Sequence, residues 1–245
     1  MKRCIMYKSI TDLNQRHIGK DIHIICAGPS SKYIEPSFYE NKIVIGVNNV
    51  YKRFPCDYIV AKDLREVPRF NRLVEELKQT NIKLVFPEYH TGHYNDPKNT
   101  PDMENAYMFE HLDNKSATLD EEVLSVIGTD KLVVTRSTIT SGINLAAYMG
   151  AKNIILLGHD CGYLDEDLYE PTYTESDWGS ADNYSSAPAW VGSIESNTLK
   201  VNERIKEVWG CNIYSINPFI NFGLEGHKYK SNSREWLGDR YGDAR

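Results

Sequence analysis

The stretch Asp21-Ile22-His23-Ile24-Ile25-Cys26-Ala27-Gly28-Pro29-Ser30-Ser31 decides how this chain is read. Five of its first seven residues are apolar, and the run stops abruptly at Gly-Pro-Ser-Ser. That pattern predicts a short buried strand entering a turn that exposes backbone amides and hydroxyls. A phosphate or a nucleotide suits such a place, because unpaired N–H donors meet the positive end of a following helix. On its own, a Gly-Pro turn after a strand signifies only a turn. Its meaning depends on what the rest of the chain brings beside it.

Two further runs of the same kind follow. Lys42-Ile43-Val44-Ile45-Gly46-Val47 ends in Asn48-Asn49, and Asp57-Tyr58-Ile59-Val60-Ala61 ends in Lys62-Asp63. Both are short, β-branched and bounded by turn residues. Between Arg65 and Thr80, apolar residues at Val67, Phe70, Leu73, Val74 and Leu77 mark one face of a helix. A fourth strand is expected over Lys83-Leu84-Val85-Phe86, and Tyr89 to Asn105 reads as a long loop. A short helix over Leu119–Ile127 and a strand over Leu132-Val133-Val134 come next. Thr140 or Ser141 caps a helix that reaches Gly150, with small residues at Ala146 and Ala147. The run Asn153-Ile154-Ile155-Leu156-Leu157 is the most hydrophobic strand and ends in Gly158-His159-Asp160, as a central parallel strand does.

From Cys161 to Gly192 the chain is polar and aromatic, and a loop this long inside a domain is expected to be a lid (about 161–192). A helix over Ser193–Val208 and a strand over Asn212–Ile216 complete the alternation. The fold class expected is α/β, a doubly wound, mostly parallel Rossmann-like sheet with a long lid insertion. One nucleotide-binding domain covers residues 1–226, and 227–245 form a polar C-terminal tail.

Composition narrows the function. The chain has 245 residues, enough for one sizeable core, with 41% hydrophobic and 25% charged residues. A net charge of −6 disfavours nonspecific attraction to nucleic acid or an anionic membrane. No apolar run approaches the roughly 20 residues of a membrane-spanning helix. The amino terminus lacks the apolar core of a secretory signal. The five cysteines are widely spaced without a Cys-x-x-Cys pair, so a reducing, cytoplasmic location is expected.

The strand ends supply Gly28, Pro29, Ser30, Asn48, Asn49, Asp63 and Asp160, and the helix start supplies Thr140, Ser141 and Gly142. Singly, such residues terminate strands and cap helices. Converging on one sheet edge, they form a candidate ligand site. Neither a Gly-x-x-x-x-Gly-Lys-Ser/Thr loop nor a Gly-x-Gly-x-x-Gly turn occurs, which excludes a P-loop kinase and argues against an ordinary NAD(P) dehydrogenase. His90, His93 and Asp96 lack a third histidine and are read as loop residues, and no metal site is assigned. Lys62 and Arg65 beside Asp63 suit either a phosphate or an exposed ion pair.

The ordered set Ile25-Cys26-Ala27-Gly28-Pro29-Ser30, Val47-Asn48-Asn49, Ile139-Thr140-Ser141-Gly142 and Gly150-Ala151-Lys152-Asn153-Ile154-Ile155-Leu156-Leu157-Gly158-His159-Asp160 resembles one superfamily. It joins bacterial lipooligosaccharide sialyltransferases, motility-accessory-factor (Maf) glycosyltransferases and archaeal MptE-like 6-hydroxymethylpterin pyrophosphokinases. The resemblance runs in order over most of residues 21–223. It implies that Gly28, Pro29, Ser30, Asn48, Ser141 and Gly142 hold a donor nucleotide, with Lys62-Asp63 against the donor and Asp160 at the cleft floor. The sialyltransferases carry a catalytic histidine in a His-Ser-x-Asn-Thr-like stretch. The corresponding run here, Gly192-Ser193-Ile194-Glu195-Ser196-Asn197-Thr198, has none.

The resemblance therefore implies a cytoplasmic glycosyltransferase using a nucleotide-activated sugar, a CMP-sugar or related donor, and a glycan or other hydroxyl-bearing acceptor. Glu195, His159 and Asp160 are the candidate catalytic residues. Homo-oligomerisation accords with the family, and magnesium is compatible but not required. The alternatives are an ATP- and magnesium-dependent pyrophosphokinase acting on a pterin-like alcohol, and a noncatalytic nucleotide-binding protein.

Overall fold

The structure is a computed structural model that describes residues 7–62, 68–88, 101, 103–112, 119, 121–135, 137–160 and 191–216, with backbone alone at 68–71, 191–193 and 195. Among them are nine strands, every pair parallel. They are β1 (Lys8–Ser9), β2 (Asp21–Ile25), β3 (Ile43–Val47), β4 (Tyr58–Val60), β5 (Lys83–Pro87), β6 (Ala106–His111), β7 (Lys131–Leu132), β8 (Asn153–Leu157) and β9 (Asn212–Ser215). Their order across the sheet is β1-β6-β5-β4-β3-β2-β8-β9, with β7 also pairing β6. The helices are α1 (Pro68–Leu77), α2 (Glu121–Ser125), α3 (Ile139–Tyr148) and α4 (Val191–Trp209). This is the α/β, Rossmann-like fold expected from the alternation of strands and helices.

The central strands read as continuous apolar runs because both faces of a parallel sheet are covered. Register aligns like with like: Ile22 and Ile24 stand beside Ile43 and Ile45 on one side and beside Ile154 and Leu156 on the other. Alternation then divides the core. Ile22, Ile24, Ile45, Val60, Ile154 and Leu156 pack with Ile143, Ala146 and Ala147 of α3 and Val201 and Ile205 of α4. On the opposite face Ile25, Val44 and Leu157 meet Tyr39 and Val50 from short 3-10 turns and Phe54 just after the second. Ile59, Leu84 and Phe86 meet Leu73 and Leu77 of α1. All ten residues of α3 are buried, so this helix is the central column of the larger layer.

Two parts of the sheet differ from the sequence reading. The segment Ala106-Tyr107-Met108-Phe109-Glu110-His111, to which no element was assigned, is β6 and extends the sheet past β5. The polar lead contains β1 and a 3-10 turn whose Ile10 and Leu13 enter the main core. Two apolar residues among polar neighbours carry little periodicity, and only pairing to β6 gives them a place. No described helix is long and apolar enough to cross a membrane.

Ile24 is fully buried at the centre of β2, whereas Ile18 is 70% exposed. Ile24→Ala is expected to cost about 2–5 kcal/mol of stability, by lost transfer energy plus a cavity. Ile18→Ala should stay within about 0.5 kcal/mol. Urea denaturation of the two variants checks the assignment of the core.

Candidate functional site

From β2 the chain steps outward through β3, β4, β5 and β6, then returns to place β8 on the other side of β2 and β9 beyond it. The strand order therefore reverses between β2 and β8. With every pair parallel, the carboxyl ends share one edge, and the crevice outside a reversal is where open α/β sheets bind ligands. The two segments that leave the sheet there are Cys26–Ser30 and Gly158–Asp160.

These segments lie against each other at backbone distance. The Gly28 amide donates to the Gly158 carbonyl at 2.8 Å. A Cβ on Gly28 would stand 2.3 Å from the Gly158 oxygen and 2.7 Å from Asp160 Oδ2. Gly158 itself has φ +68°, and its Cβ would stand 2.3 Å from the Cys26 oxygen. Neither position admits a side chain.

Asp160 closes the contact. Its Oδ2 accepts from the Ser30 amide at 2.6 Å and its Oδ1 from the Ser30 hydroxyl at 2.5 Å. Burial pushes the carboxyl up to about 7, against the pull of the two Ser30 hydrogen bonds and the Lys32 ammonium. Burial, with Asp160 adding to it, likewise pushes the Cys26 thiol above its ordinary range. Asp160 is thus the partner that holds the Gly-Pro-Ser turn, with both oxygens engaged.

His159 turns to the other wall. Its Nε2 lies 2.8 Å from Thr198 Oγ1 on α4, and the same hydroxyl donates to the Ile194 carbonyl at 2.9 Å. Burial lowers the imidazole to about 4, so it is neutral at pH 7. A group so weakly basic is a poor acceptor of a proton at neutral pH.

At the end of β3, Asn48 has φ +55°, a left-handed conformation that asparagine tolerates, and opens a 3-10 turn with Asn49 buried behind it. At the end of β4, Lys62 Nζ donates to the Thr135 carbonyl. The segment before α3 is strapped to that helix. Asn144 Oδ1 accepts from the Val133 amide at 3.0 Å, the Ser141 hydroxyl donates to the Val133 carbonyl at 2.6 Å, and the Thr140 hydroxyl donates to the Ser137 carbonyl at 2.9 Å. Thr140 and Ser141 are fully buried, and their hydroxyl protons are committed to this framework. The first-turn amides of α3 remain the donors that its positive end presents.

The structure therefore brings Gly28, Pro29, Ser30, His159 and Asp160 together, with Asn48 and Asn49 at the neighbouring strand end and Thr140, Ser141 and Gly142 in the first turn of α3. Ala27, Gly28, Asn48 and Lys62 are half-buried there. Asp63, His90, His93, Asp96 and residues 161–190 lie outside the described residues, and Glu195 is described only as backbone of α4. Among the described residues no three His, Cys, Asp or Glu side chains gather as a metal site would require. Sequence reading did not single out Thr198 or Thr135. His159, which meets the Thr198 hydroxyl, and Lys62, which meets the Thr135 carbonyl, are distant in sequence, so spacing carries no sign of either contact.

No family model matches the chain, and no curated protein matches it. Solved structures do. The sialyltransferase CstII from Campylobacter jejuni in complex with the substrate analogue cytidine-5'-monophosphate aligns with TM-score 0.51 and 16% identity, over 91% of this chain and 97% of that one. The same enzyme with CMP-3FNeuAc aligns with TM-score 0.49 and 13% identity, over 91% and 98%. A Maf glycosyltransferase from Magnetospirillum magneticum AMB-1 aligns with TM-score 0.45 and 12% identity; this chain spans 38% of its length and is itself covered over 94%. The chain has the fold of the CstII sialyltransferase over nearly the whole of both molecules.

Proposed function

We propose that this protein is a glycosyltransferase that takes a nucleotide-activated sugar, a CMP-sugar or a related donor, and transfers the sugar to a hydroxyl of a glycan or another acceptor. The observation that carries this reading is the Gly28–Ser30 turn clamped by Asp160 at the strand-order reversal. It stands in a fold shared end to end with a sialyltransferase whose structure holds CMP. The amide-rich start of α3 at this sheet edge suits a nucleotide phosphate better than it suits a cation.

The chemistry that fits is direct displacement. The acceptor oxygen forms a bond to the anomeric carbon as the bond from that carbon to the phosphate oxygen breaks, and the electron pair leaves with the phosphate. The first-turn amides of α3 stabilise the departing charge. The acceptor's proton passes to a base on the wall formed by the start of α4, where Glu195 stands in sequence. Asp160 contributes by holding the turn. No step runs through a metal ion.

Thermal denaturation with CMP, UDP, GDP and ATP, each with and without magnesium, tests the donor assignment. A nucleotide present at 100 times its Kd stabilises the fold by about 2.7 kcal/mol. For a chain of this size that raises Tm by roughly 5–10 °C. CMP is expected to give the largest shift. No shift from any of the four, together with no hydrolysis of any nucleotide sugar, defeats the reading. A shift confined to ATP with magnesium redirects it to pyrophosphoryl transfer.

The Asp160 clamp predicts a pH signature. In the unfolded chain an aspartate releases its proton near pH 4, whereas in the folded protein Asp160 holds it to about 7. Between those values the folded state binds the extra proton, so this residue's contribution to stability falls as pH rises from 4 to 7 and is constant above. Asp160→Asn lacks that loss. Compared by urea denaturation at pH 4.5 and 7.5, wild type should lose its advantage over the variant as pH rises. An equal gap at both values contradicts the assignment.

A further inference from the structure

We propose that His159 is a positioning residue. Its Nε2–H donates to the Thr198 hydroxyl, which donates to the Ile194 carbonyl, and this relay sets where the first turns of α4 stand against the cleft. The inference rests on the reading above for what is being positioned, while the relay itself is a property of this chain's geometry.

The relay has a direction. Thr198 Oγ1 lies 2.8 Å from His159 Nε2 and 2.9 Å from the Ile194 oxygen, and a hydroxyl has one proton. A carbonyl can only accept, so the arrangement that makes both contacts sends the Thr198 proton to Ile194 and leaves Thr198 Oγ1 to accept from the imidazole. The proton of the neutral ring then sits on Nε2, which faces the helix and cannot take a proton from an acceptor. Burial of the imidazole agrees with a neutral ring.

The place in α4 gives the relay its consequence. Asn197, Thr198, Val201, Asn202 and Ile205 are buried, whereas Ile194 is half-buried and Ser196 exposed. Among the described side chains of α4, burial sets in across the 194–198 turn, which contains residue 195. A threonine that bonds its i−4 carbonyl shifts the local helix axis. Here a second donor, fixed at the end of β8, holds that threonine in place. Two consecutive residues of one strand end thus reach both walls: Asp160 the turn after β2, His159 the start of α4.

Two conservative and two disruptive variants of the full chain test this. His159→Gln keeps an N–H donor near the Nε2 position and Thr198→Ser keeps the relay; His159→Leu and Thr198→Val break it. With the nucleotide sugar that wild type turns over, both breaking variants should lower kcat about 10- to 100-fold, the scale of a small misplacement of reacting groups, with donor KM changed less than threefold. The conservative variants should recover most of that loss and keep the wild-type pH–rate profile. The His159→Leu/Thr198→Val double variant should be no worse than the poorer single one, since both remove the same link. A His159→Gln variant as impaired as His159→Leu, with the acidic limb of the profile gone, identifies a general base and overturns the proposal.

Nitrogen-15 NMR of the His159 ring needs no substrate. A neutral ring protonated on Nε2 between pH 5 and 8, with faster amide exchange over 194–198 in His159→Leu and Thr198→Val but not in the conservative pair, supports the relay even if every nucleotide sugar proves inert and the glycosyltransferase reading falls. An Nδ1-protonated or charged ring in that range, or unchanged exchange in the breaking variants, overturns it.

Discussion

The contact between Ser30 and Asp160 is the constraint on which the cleft depends. It joins two strand ends that are adjacent in the sheet but separated by most of the chain, and it does so with a buried carboxylate that accepts from both a backbone amide and a hydroxyl. Both hydrogen bonds are short, at 2.6 and 2.5 Å, and directional. Removing either partner would leave a buried group unpaired, which costs more than the bond itself contributes. The glycines at 28 and 158 are the corollary: the strand ends can approach closely enough for the clamp only because no Cβ stands between them.

Around this clamp the polar side chains of the sheet edge serve mainly the framework. Ser141, Thr140 and Asn144 bind the segment before α3, and Lys62 ties the end of β4 to the same segment through Thr135. The backbone donors left at this edge are those of the first turn of α3, all of whose side chains are buried. A site built of amides on a rigid edge is pre-organised for an anionic group, because its dipoles need not move when the ligand arrives.

Burial acts on the two residues at the end of β8 in opposite senses. It disfavours charge of either sign, so the Asp160 carboxyl is raised and the His159 imidazole lowered. Across the mildly acidic range the folded protein holds a proton on Asp160 that the unfolded chain has released, and lacks one on His159 that the unfolded chain has gained. The two linkages oppose each other, and the strand end stays uncharged in the range where an exposed His-Asp pair would carry both charges.

The sequence by itself determined the class of fold and the gathering of strand-end residues on one sheet edge. β-branched runs ending in Gly28, Asn48 and Gly158 are local signals, because strand formation and turn chemistry depend on neighbours in sequence. β6 was not legible, since its six residues mix aromatic and charged types at a sheet margin. Nor were the roles of His159 and Asp160. A carboxylate or an imidazole at a strand end looks the same whether it faces a substrate or another part of the chain. Only tertiary structure decided that Asp160 meets Ser30 and His159 meets Thr198, contacts spanning 130 and 39 positions that no local periodicity records. The physical reason is that a parallel sheet orders its strands by crossover connections, so the partners at the reversal point are chosen by topology rather than by proximity along the chain.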